Sequence, residues 1–270
     1  MNFLELFEKP KLIAAHRGDR TIRPENTLSA LRSSIGKCDF IEIDVQLSRD
    51  KIPVILHDET LGRTSNVKEI DVFAQRYPWL VRDFSLNELK RLDFGSWFYR
   101  EDPFGCIGTG KVHLSKTESE QEPLLTLEKA LLFAKEEEAF INIEIKDMHD
   151  WMADREAVAI IANVIKRLQA EPLILLSSFH HPYLFICKEL LPDIPTAVLT
   201  EEKAPEDIIA YLELLRADAY HTDEQCLNEE TVKELREAGY FVNAYTVNDP
   251  LRQQELFAWG VNGVFTDYLE

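Results

Sequence analysis

One pattern recurs along most of this chain: a short run rich in β-branched residues, then a turn, then a helical stretch. Alternation of this kind indicates parallel strands that are joined by crossover helices. The strand candidates are Leu12–His16, Phe40–Leu47, Ile52–His57, Phe140–Lys146, Leu173–Phe179, Ile194–Leu199, Ala217–His221, Phe241–Val247 and Val261–Thr266. The helix candidates are Glu25–Ile35, Thr126–Glu138, Asp154–Gln169, Pro182–Leu191, Pro205–Arg216, Glu229–Ala238 and Pro250–Trp259.

The number of repeats leaves two architectures of the α/β class. About eight strand–helix units close a parallel barrel, and this chain can supply them if Ile52–His57 is an extra hairpin strand. A doubly wound open sheet is the alternative, and periodicity alone does not separate the two. The length of 270 residues suits a single barrel domain over 1–270.

Composition narrows the classes of partner. The 30 Lys and Arg residues stand against 48 Asp and Glu residues, which gives a formal net charge of −18. A chain this acidic is poorly suited to bind nucleic acid or an anionic membrane surface. An anionic substrate would therefore need a metal ion or a few well-placed cations.

The sequence carries no pattern typical of export or of a membrane span. Its first residues lack the basic start and apolar run of a secretory signal, and no apolar stretch approaches the ~18 residues that span a bilayer. Its four cysteines show neither metal-ligand nor redox spacing. We therefore expect a soluble, cytoplasmic protein with no stable membrane anchor.

The strand–helix rhythm breaks between Glu59 and Glu122. Loops this long inside compact domains are uncommon, so we interpret 59–122 as a small insertion after the second strand region, packed over one end of the main domain. Ser85-Leu86-Asn87-Glu88 has the pattern of a capping box that opens a short helix. The polar stretch Lys116–Glu122 is predicted to be the most mobile part of the insertion.

Two strand candidates carry carboxylates on one face. Glu42 and Asp44 share a face because side chains alternate along a strand, and the next such strand offers Asn142, Glu144 and Lys146. Half-exposed strands with a polar side toward water would explain this pattern. Helices normally cover the outer face of a parallel sheet, however, so the polar faces would point inward. Three carboxylates there would need a hard cation such as Mg²⁺ or Ca²⁺.

Two histidines, His16 and His57, each end an apolar run. In a barrel the carboxyl ends of the strands carry the active site, so both lie where chemistry is expected. A single strand-end histidine is more often structural, whereas a pair beside a carboxylate cluster suits general acid–base work near neutral pH. Arg17 and Lys146 would supply the positive charge that an anionic substrate requires.

Five short motifs stand in a fixed order along the chain. They are His16-Arg17-Gly18, Pro24-Glu25-Asn26-Thr27, Glu42-Ile43-Asp44-Val45, His57-Asp58 with Leu61-x-Arg63-Thr64, and Glu144-Ile145-Lys146. Further along the chain come Ser177-Ser178-Phe179, Thr246-Val247-Asn248 and Thr266-Asp267. In content and order this set resembles the glycerophosphodiester phosphodiesterases, and the match spans residues 12–268.

The resemblance implies a TIM (β/α)8 barrel that cleaves a small-molecule glycerophosphodiester into glycerol 3-phosphate and an alcohol. It implies His16 and His57 as the acid–base pair, and we favour His16 as the base. It also implies that Glu42, Asp44 and Glu144 bind a divalent metal, Mg²⁺ or Ca²⁺, and that Arg17 and Lys146 hold the phosphate. Direct attack by water and prior attack by a glycerol hydroxyl both stay open, as do head-group preference and oligomeric state.

The sequence departs from the family pattern at two places in its C-terminal part. Tyr245 stands where a Trp usually precedes Thr-Val-Asn, which keeps an aromatic wall for the substrate. The family usually continues into a last helix after its Thr-Asp motif, whereas this sequence stops at Glu270, so we expect that helix to be absent. We expect Asn2–Phe7 to pack near the open seam or the base of the barrel, with a frayed terminus as the alternative.

The insertion leaves the substrate class partly open. Trp97 and Phe98 are candidates for a substrate-binding wall, and the core of the insertion is the alternative place for them. A related phospholipase D acting on lysophospholipids would need a hydrophobic cleft from this segment. A catalytically idle barrel that binds phosphodiesters or a protein partner is disfavoured, because every charged and acid–base position is present.

Overall fold

Eight parallel strands close into a barrel in the computed structural model, which describes residues 2–112, 121–202, 205 and 207–269. The strands of this described part are β1 (Leu12–Ala15), β2 (Phe40–Leu47), β3 (Pro53–Ile55), β4 (Ile141–Ile145), β5 (Ile174–Ser178), β6 (Thr196–Thr200), β7 (Ala219–Asp223), β8 (Phe241–Tyr245) and β9 (Gly263–Thr266). Strand β1 pairs in parallel with both β2 and β9, which closes the barrel, whereas β3 pairs antiparallel with β2. The predicted TIM barrel with one extra hairpin strand is confirmed, and the open-sheet alternative is wrong.

Helices separate the barrel strands along the chain. They are α1 (Phe3–Phe7), α2 (Leu28–Ser34), α3 (Leu86–Leu89), α4 (Ser96–Glu101), α5 (Leu127–Glu136), α6 (Asp154–Leu168), α7 (Pro182–Leu190), α8 (Ile208–Leu215), α9 (Glu229–Glu237) and α10 (Pro250–Trp259). Short 3₁₀ helices cover Val67–Glu69, Asp71–Arg76, Val81–Asp83, Glu171–Leu173 and Glu224–Cys226. Several α-helices begin after a side chain that accepts a first-turn N–H, such as Thr126 before α5 and Asn228 before α9.

Helix α2 begins later than the sequence predicts, and the cause lies in the residues before it. Asn26 has a left-handed backbone, with φ at 58°, so the chain is not helical there. The next residue, Thr27, caps α2 by accepting the N–H of Ala30. The predicted helix over Glu25–Ile35 is therefore wrong at its start, because Glu25 and Asn26 turn toward the barrel.

The hydrophobic core on the outer side of the barrel explains the direction of the polar residues. Ile41, Ile43 and Val45 of β2 join Ile141 and Ile143 of β4 in a buried cluster that also contains residues of α5, α6 and α7. Because alternate side chains point to opposite faces, the residues between them point into the barrel. This packing places the carboxylates of both strands on the inner face.

Helix α1 covers the amino ends of the barrel strands. Phe3 and Phe7 are fully buried, with their ring centroids 5.4 Å from Phe40 and 4.9 Å from Phe241 respectively. Phe40 and Phe241 are the first residues of β2 and β8, so α1 closes the base of the barrel. The expected packing of Asn2–Phe7 at the base is confirmed, and the frayed terminus is excluded.

Residues 59–112 contain short helices and a core of their own. Leu61, Val67, Phe73 and Phe84 belong to a buried cluster that includes Val54 of β3. Ser85 and Glu88 exchange reciprocal hydrogen bonds at the start of α3, which confirms the predicted capping box. The predicted mobile stretch Lys116–Glu122 falls largely on residues 113–120, which lie outside the described residues.

After β9, residues 267–269 form no helix. In the described residues, no helix combines the length and the apolar character that crossing a membrane requires.

Candidate active site

Three carboxylates meet on the inner face of β2 and β4. The parallel register aligns Glu42 with Asn142 and Asp44 with Glu144. One carboxylate oxygen from each of Glu42, Asp44 and Glu144 lies within 4.8 Å of the others. The alternation that the sequence predicts thus brings together all three predicted metal ligands.

Burial raises the free-energy cost of ionising the carboxylates of this cluster. Burial, with repulsion from Asp44 and Glu144, raises the pKa of Glu42 well above its usual value. Burial and the charge of Asp44 likewise raise the pKa of Glu144. Burial also opposes ionisation of Asp44, but the positive charges of Arg17 and Lys146 outweigh it and lower the pKa of Asp44 to about 2.

The donor set fits a hard divalent cation. Glu42 Oε1 and Asp44 Oδ1 are buried and have no hydrogen-bond partner among the described residues, which is rare for carboxylate oxygens at 4% and 1% residue exposure. Carboxylate oxygens that accept no hydrogen bond are ligands that Mg²⁺ and Ca²⁺ prefer. Glu42, Asp44 and Glu144 therefore could hold such an ion.

Arg17 sits in a strained turn directly after β1. Its backbone is left-handed, with φ at 58°, and its N–H donates to Glu42 Oε2 at 3.0 Å. Gly18 follows with φ at +82°, and a Cβ there would lie 2.8 Å from the backbone of Ala30, so the turn requires glycine. The guanidinium contacts Asp44, with Nε 3.3 Å from Oδ2. This turn fixes Arg17 against the carboxylate cluster.

Lys146 approaches the same cluster from β4. Its Nζ lies 2.6 Å from Glu144 Oε1 and 3.6 Å from Asp44 Oδ1. The structure thus places both predicted phosphate-binding cations beside the carboxylates. Arg17 lines the central cavity described below, whereas Lys146 is not among the residues of its wall.

His16 is held by a carboxylate from the other end of the chain. Its Nδ1 lies 2.8 Å from Asp267 Oδ1, and because a carboxylate only accepts, Nδ1 carries the proton. Asp267 is itself held by Asn248 Nδ2 at 2.8 Å and by Arg20 Nη1 at 3.0 Å. Burial lowers the pKa of His16, and the bond with Asp267 opposes this shift only in part. His16 is therefore neutral at pH 7 with Nε2 free to accept a proton.

His57 has the same kind of partner. Its Nδ1 donates to Asp58 Oδ1 at 2.7 Å, which leaves Nε2 for the cavity that His57 lines. Asp58 is in turn held by Arg63, whose Nε lies 2.7 Å from Asp58 Oδ2. Burial opposes ionisation of Asp58, but the bonds from Arg63 and His57 hold the pKa of this carboxyl well below its usual range.

Glu25 connects the two histidine arrangements. It is buried and forms ion pairs with Arg17, Arg20 and Arg63. Burial opposes its ionisation, but these three guanidinium groups hold the pKa of Glu25 well below its usual range. A continuous path of charged contacts therefore runs from Asp267 through Glu25 to Asp58.

Five of the residues described above line one cavity of about 550 Å³: His16, Arg17, Glu42, His57 and Glu144. Its wall consists of His16, Arg17, Glu42, His57, Asn142, Glu144, Ser177, Phe179, Leu199, Glu201, Asp223, Tyr245, Thr246 and Phe265. Tyr245 lines it as the sequence predicts, with its hydroxyl donating to Thr200 O at 2.6 Å. A cavity of this size suits a small organic ligand with a few polar anchors.

Trp97 does not lie on this wall. It is 4% exposed, its indole N–H donates to Phe94 O at 3.0 Å, and Arg63 lies over its ring at 5.7 Å. Phe98 is buried as well. These contacts fit the alternative place for both residues, the core of 59–122, and they leave Trp97 without a contact to the cavity.

Sequence reasoning gave no role to Asp267, Glu25, Arg20 or Arg63. Glu25, Arg63 and Asp267 belong to the quoted motifs, which is the signal that the sequence offers for them, but the contact of Arg63 with Glu25 joins residues 38 positions apart. The carboxylate of Asp267 meets a histidine 251 residues away. Only the closure of the barrel brings such pairs together.

Known proteins resemble the chain over nearly its whole length. The model of the Glycerophosphoryl diester phosphodiesterase family matches residues 16–270. A glycerophosphodiester phosphodiesterase of Bacillus altitudinis is 33% identical over 261 residues, which cover 95% of this chain and 94% of the relative. One of Bacillus subtilis (strain 168) is 30% identical over 263 residues, 95% of this chain and 83% of the relative.

Among solved structures, the phosphodiesterase of Oleispira antarctica, in complex with its product sn-glycerol-3-phosphate, superposes with a TM-score of 0.81. It is 30% identical, and the match covers 98% of this chain and 96% of that one. The sequence motifs, the barrel and these matches agree: the chain belongs to the glycerophosphoryl diester phosphodiesterase family, whose members are enzymes.

Proposed function

We propose that this enzyme hydrolyses glycerophosphodiesters to glycerol 3-phosphate and an alcohol in a metal-dependent reaction with His16 and His57 as acid–base pair. The observation that carries the proposal is geometric. Two histidines, each held through Nδ1 by its own aspartate, line one cavity with two members of a buried carboxylate triad, Glu42 and Glu144. The product in the related Oleispira antarctica structure supports the substrate class.

Glu42, Asp44 and Glu144 would hold the divalent ion. When bound, it supplies positive charge that offsets the charge developing on the phosphoryl oxygens. The choice between Mg²⁺ and Ca²⁺ is for experiment, because three carboxylates suit either ion. Arg17 and Lys146 add fixed positive charge beside the same cluster.

His16 accepts a proton and His57 donates one. His16 is neutral at pH 7, so its Nε2 takes the proton of the attacking hydroxyl, whether of water or of the substrate glycerol. His57 in its protonated form donates from Nε2 to the alcohol oxygen that leaves phosphorus, while Asp58 stabilises the cation before transfer. One proton is accepted and one is donated, so the step balances.

The wall opposite the cluster favours a small, partly apolar substrate over an acyl chain. Phe179, Leu199 and Tyr245 provide apolar contact beside Glu201 and Asp223. No described residue of 59–112 belongs to the wall, so this segment does not offer the hydrophobic cleft that a lysophospholipid would need. We therefore place glycerophosphodiesters first and lysophospholipids second.

The test measures glycerol 3-phosphate release from glycerophosphocholine and glycerophosphoethanolamine with Mg²⁺ or Ca²⁺ added. We expect turnover with one of the ions, loss of turnover with a chelator, and loss in His16→Ala protein whose thermal melt shows that it folds. Turnover of lysophosphatidylcholine alone would move the substrate class to lysophospholipids. Undiminished turnover after complete metal removal would refute the role of the carboxylates.

A further inference from the structure

A second group of possible metal ligands lies outside the carboxylate triad. Asp147 and His149 follow β4, and His180 follows β5, so all three lie at the carboxyl end of the barrel. One ligand atom from each lies within 4.8 Å of the others. The group shares no residue with the cavity wall or with Glu42, Asp44 and Glu144.

His180 presents a free nitrogen to this group. Its Nε2 lies 3.0 Å from Asp154 Oδ2, and because the carboxylate only accepts, Nε2 carries the proton. Its Nδ1 therefore has the lone pair and lies 3.7 Å from Asp147 Oδ2. A metal-binding histidine commonly donates its other N–H to a carboxylate in this way, which fixes the tautomer and the ring orientation.

Neighbouring contacts hold the other two ligands in place. Asp147 Oδ1 accepts the backbone N–H of His149 at 3.0 Å and its Nδ1 at 2.7 Å. The rings of His149 and His180 are parallel, with an interplanar angle of 1° and centroids 5.0 Å apart. The buried Tyr183 packs its ring 4.5 Å from His180, and its hydroxyl accepts the N–H of Met148 at 3.0 Å. The site is thus supported by α7 and by the turn after β4.

We propose that Asp147, His149 and His180 bind a divalent transition metal of the Zn²⁺ type, with Asp154 orienting His180. Two imidazoles and one carboxylate are the ligands that Zn²⁺ takes in three-residue sites, where water occupies the fourth position. Mg²⁺ and Ca²⁺ prefer oxygen ligands, so the ligand chemistry separates this site from the triad. When the metal takes the place of the proton on His149 Nδ1, Nε2 carries the ring proton, so His149 binds as a neutral imidazole.

The bound ion would join two elements at the rim of the cavity. Asp147 follows Lys146 directly, and His180 lies two residues before the start of α7. The ion would therefore tie the turn that carries Lys146 to the loop between β5 and α7. Because a ligand that binds only the native state shifts unfolding by mass action, Zn²⁺ should raise the melting temperature.

The test titrates the full, metal-stripped protein with Co²⁺ in excess Mg²⁺, which occupies the oxygen ligands of the triad. We expect one Co²⁺ per chain with visible ligand-field bands, its displacement by Zn²⁺, and a rise in melting temperature on adding Zn²⁺. His149→Ala and His180→Ala should each weaken binding at least ~10-fold. Glu128→Gln, which removes an exposed charge that pairs with Arg167, is the matched control and should leave affinity unchanged.

Two results would overturn the proposal. One is the absence of ligand-field bands in the wild-type protein. The other is a band that persists in His149→Ala and disappears in Glu144→Gln, which would place the Co²⁺ at the triad. The side chain of His149 is 59% exposed, so the His149→Ala variant should fold. This variant therefore tests the site even if His180→Ala does not fold.

Discussion

Each histidine of the site owes its tautomer to one aspartate, and the arginines that pair with these two aspartates share one carboxylate partner, Glu25. Arg20 links Asp267 to Glu25, and Arg63 links Asp58 to the same Glu25. A buried carboxylate with three guanidinium partners is stable because each charge has partners at hydrogen-bond distance. The orientation of both imidazoles thus depends on a residue that touches neither.

Asp267→Asn should lower kcat about 100-fold with little change in KM, because an amide can donate to His16 Nδ1 and favour the wrong tautomer. The pKa of His16 should also fall, since the bond with Asp267 raises it in the wild type. The acid limb of kcat/KM should therefore move to lower pH. Profiles of kcat/KM against pH for both proteins measure this shift.

Asp218→Asn is the matched control for that variant. Asp218 pairs with Lys188 before β7, at the opposite end of the barrel. The same change of side chain there removes a partly buried ion pair but should leave kcat and the pH profile unaltered. Equal losses of kcat in the two variants would mean that Asp267 acts through stability alone.

Glu25→Gln should lower the free energy of unfolding by about 3 kcal/mol, because it leaves buried guanidinium charge without its partner. Chemical denaturation measures the loss. Glu69→Gln is the control, since Glu69 pairs with Arg100 at an exposed position where an ion pair contributes little to stability. Similar losses in both variants would contradict the role of Glu25 as a buried counter-charge.

The sequence predicts individual site residues better than their partners. Strand alternation places Glu42, Asp44 and Glu144 on one face, and the structure confirms that they meet. Trp97 shows the limit of this reasoning, because an aromatic side chain suits both a substrate wall and a local core. Asp267 shows another, because its contact with His16 depends on the meeting of β1 and β9.

At the scale of elements, the two ends of the barrel have different roles. Helix α1 closes the base through Phe3 and Phe7, and the site occupies the carboxyl ends of the strands. The presence of the strands can be predicted from the sequence because β-branched runs alternate with helical stretches. The ends of the helices and strands are harder to predict from the sequence. Asn26, for example, lies within a helix-like sequence pattern, but it turns away from the helix and its Nδ2 donates to Asp44 Oδ2 at 2.8 Å.

Phe7→Ala should lower the free energy of unfolding by about 3–4 kcal/mol, because it opens a cavity among the rings at the base. Steady-state kcat should be unchanged at temperatures where the variant is folded, since the base is remote from the site. Leu4→Ala, at a half-buried position of the same helix, should cost less than ~1 kcal/mol. A loss of kcat in folded Phe7→Ala protein would show that the two ends are coupled.

At the scale of the whole molecule, the interior of the barrel carries a group that resists protonation. His221 is fully buried, and Asn243 Nδ2 donates to its Nε2 at 2.9 Å. Burial lowers its pKa from 6.5 to about 3. Below about pH 6.5 the unfolded chain therefore binds a proton that the native barrel excludes, and stability is lost as the pH falls toward 3.

His221→Gln should remove this acid sensitivity. Between about pH 7 and pH 5, the wild type should lose about 2 kcal/mol of unfolding free energy relative to the variant. Denaturation midpoints of both proteins across this range measure the difference. A constant difference between the two proteins would show that His221 titrates normally in the folded state.

The strand–helix pattern of the sequence does not predict that the sheet closes into a barrel. The repeat pattern fits an open sheet as well, and the decision rests on β1 pairing with β2 and with β9 at once. Those pairings join the two ends of the chain, and no local pattern reports them. The family resemblance, by contrast, covers the whole chain and predicts the barrel directly.

Asp44 and Glu144 face each other on adjacent strands, yet they lie on either side of the 59–122 segment in the chain. A divalent ion held between them would tether distant parts of the polypeptide much as a covalent crosslink does, and it would be released when the strands separate. The free energy of unfolding of the barrel would then rise as free ion becomes more abundant. The concentration of free ion would thus govern the stability of the fold as well as catalysis.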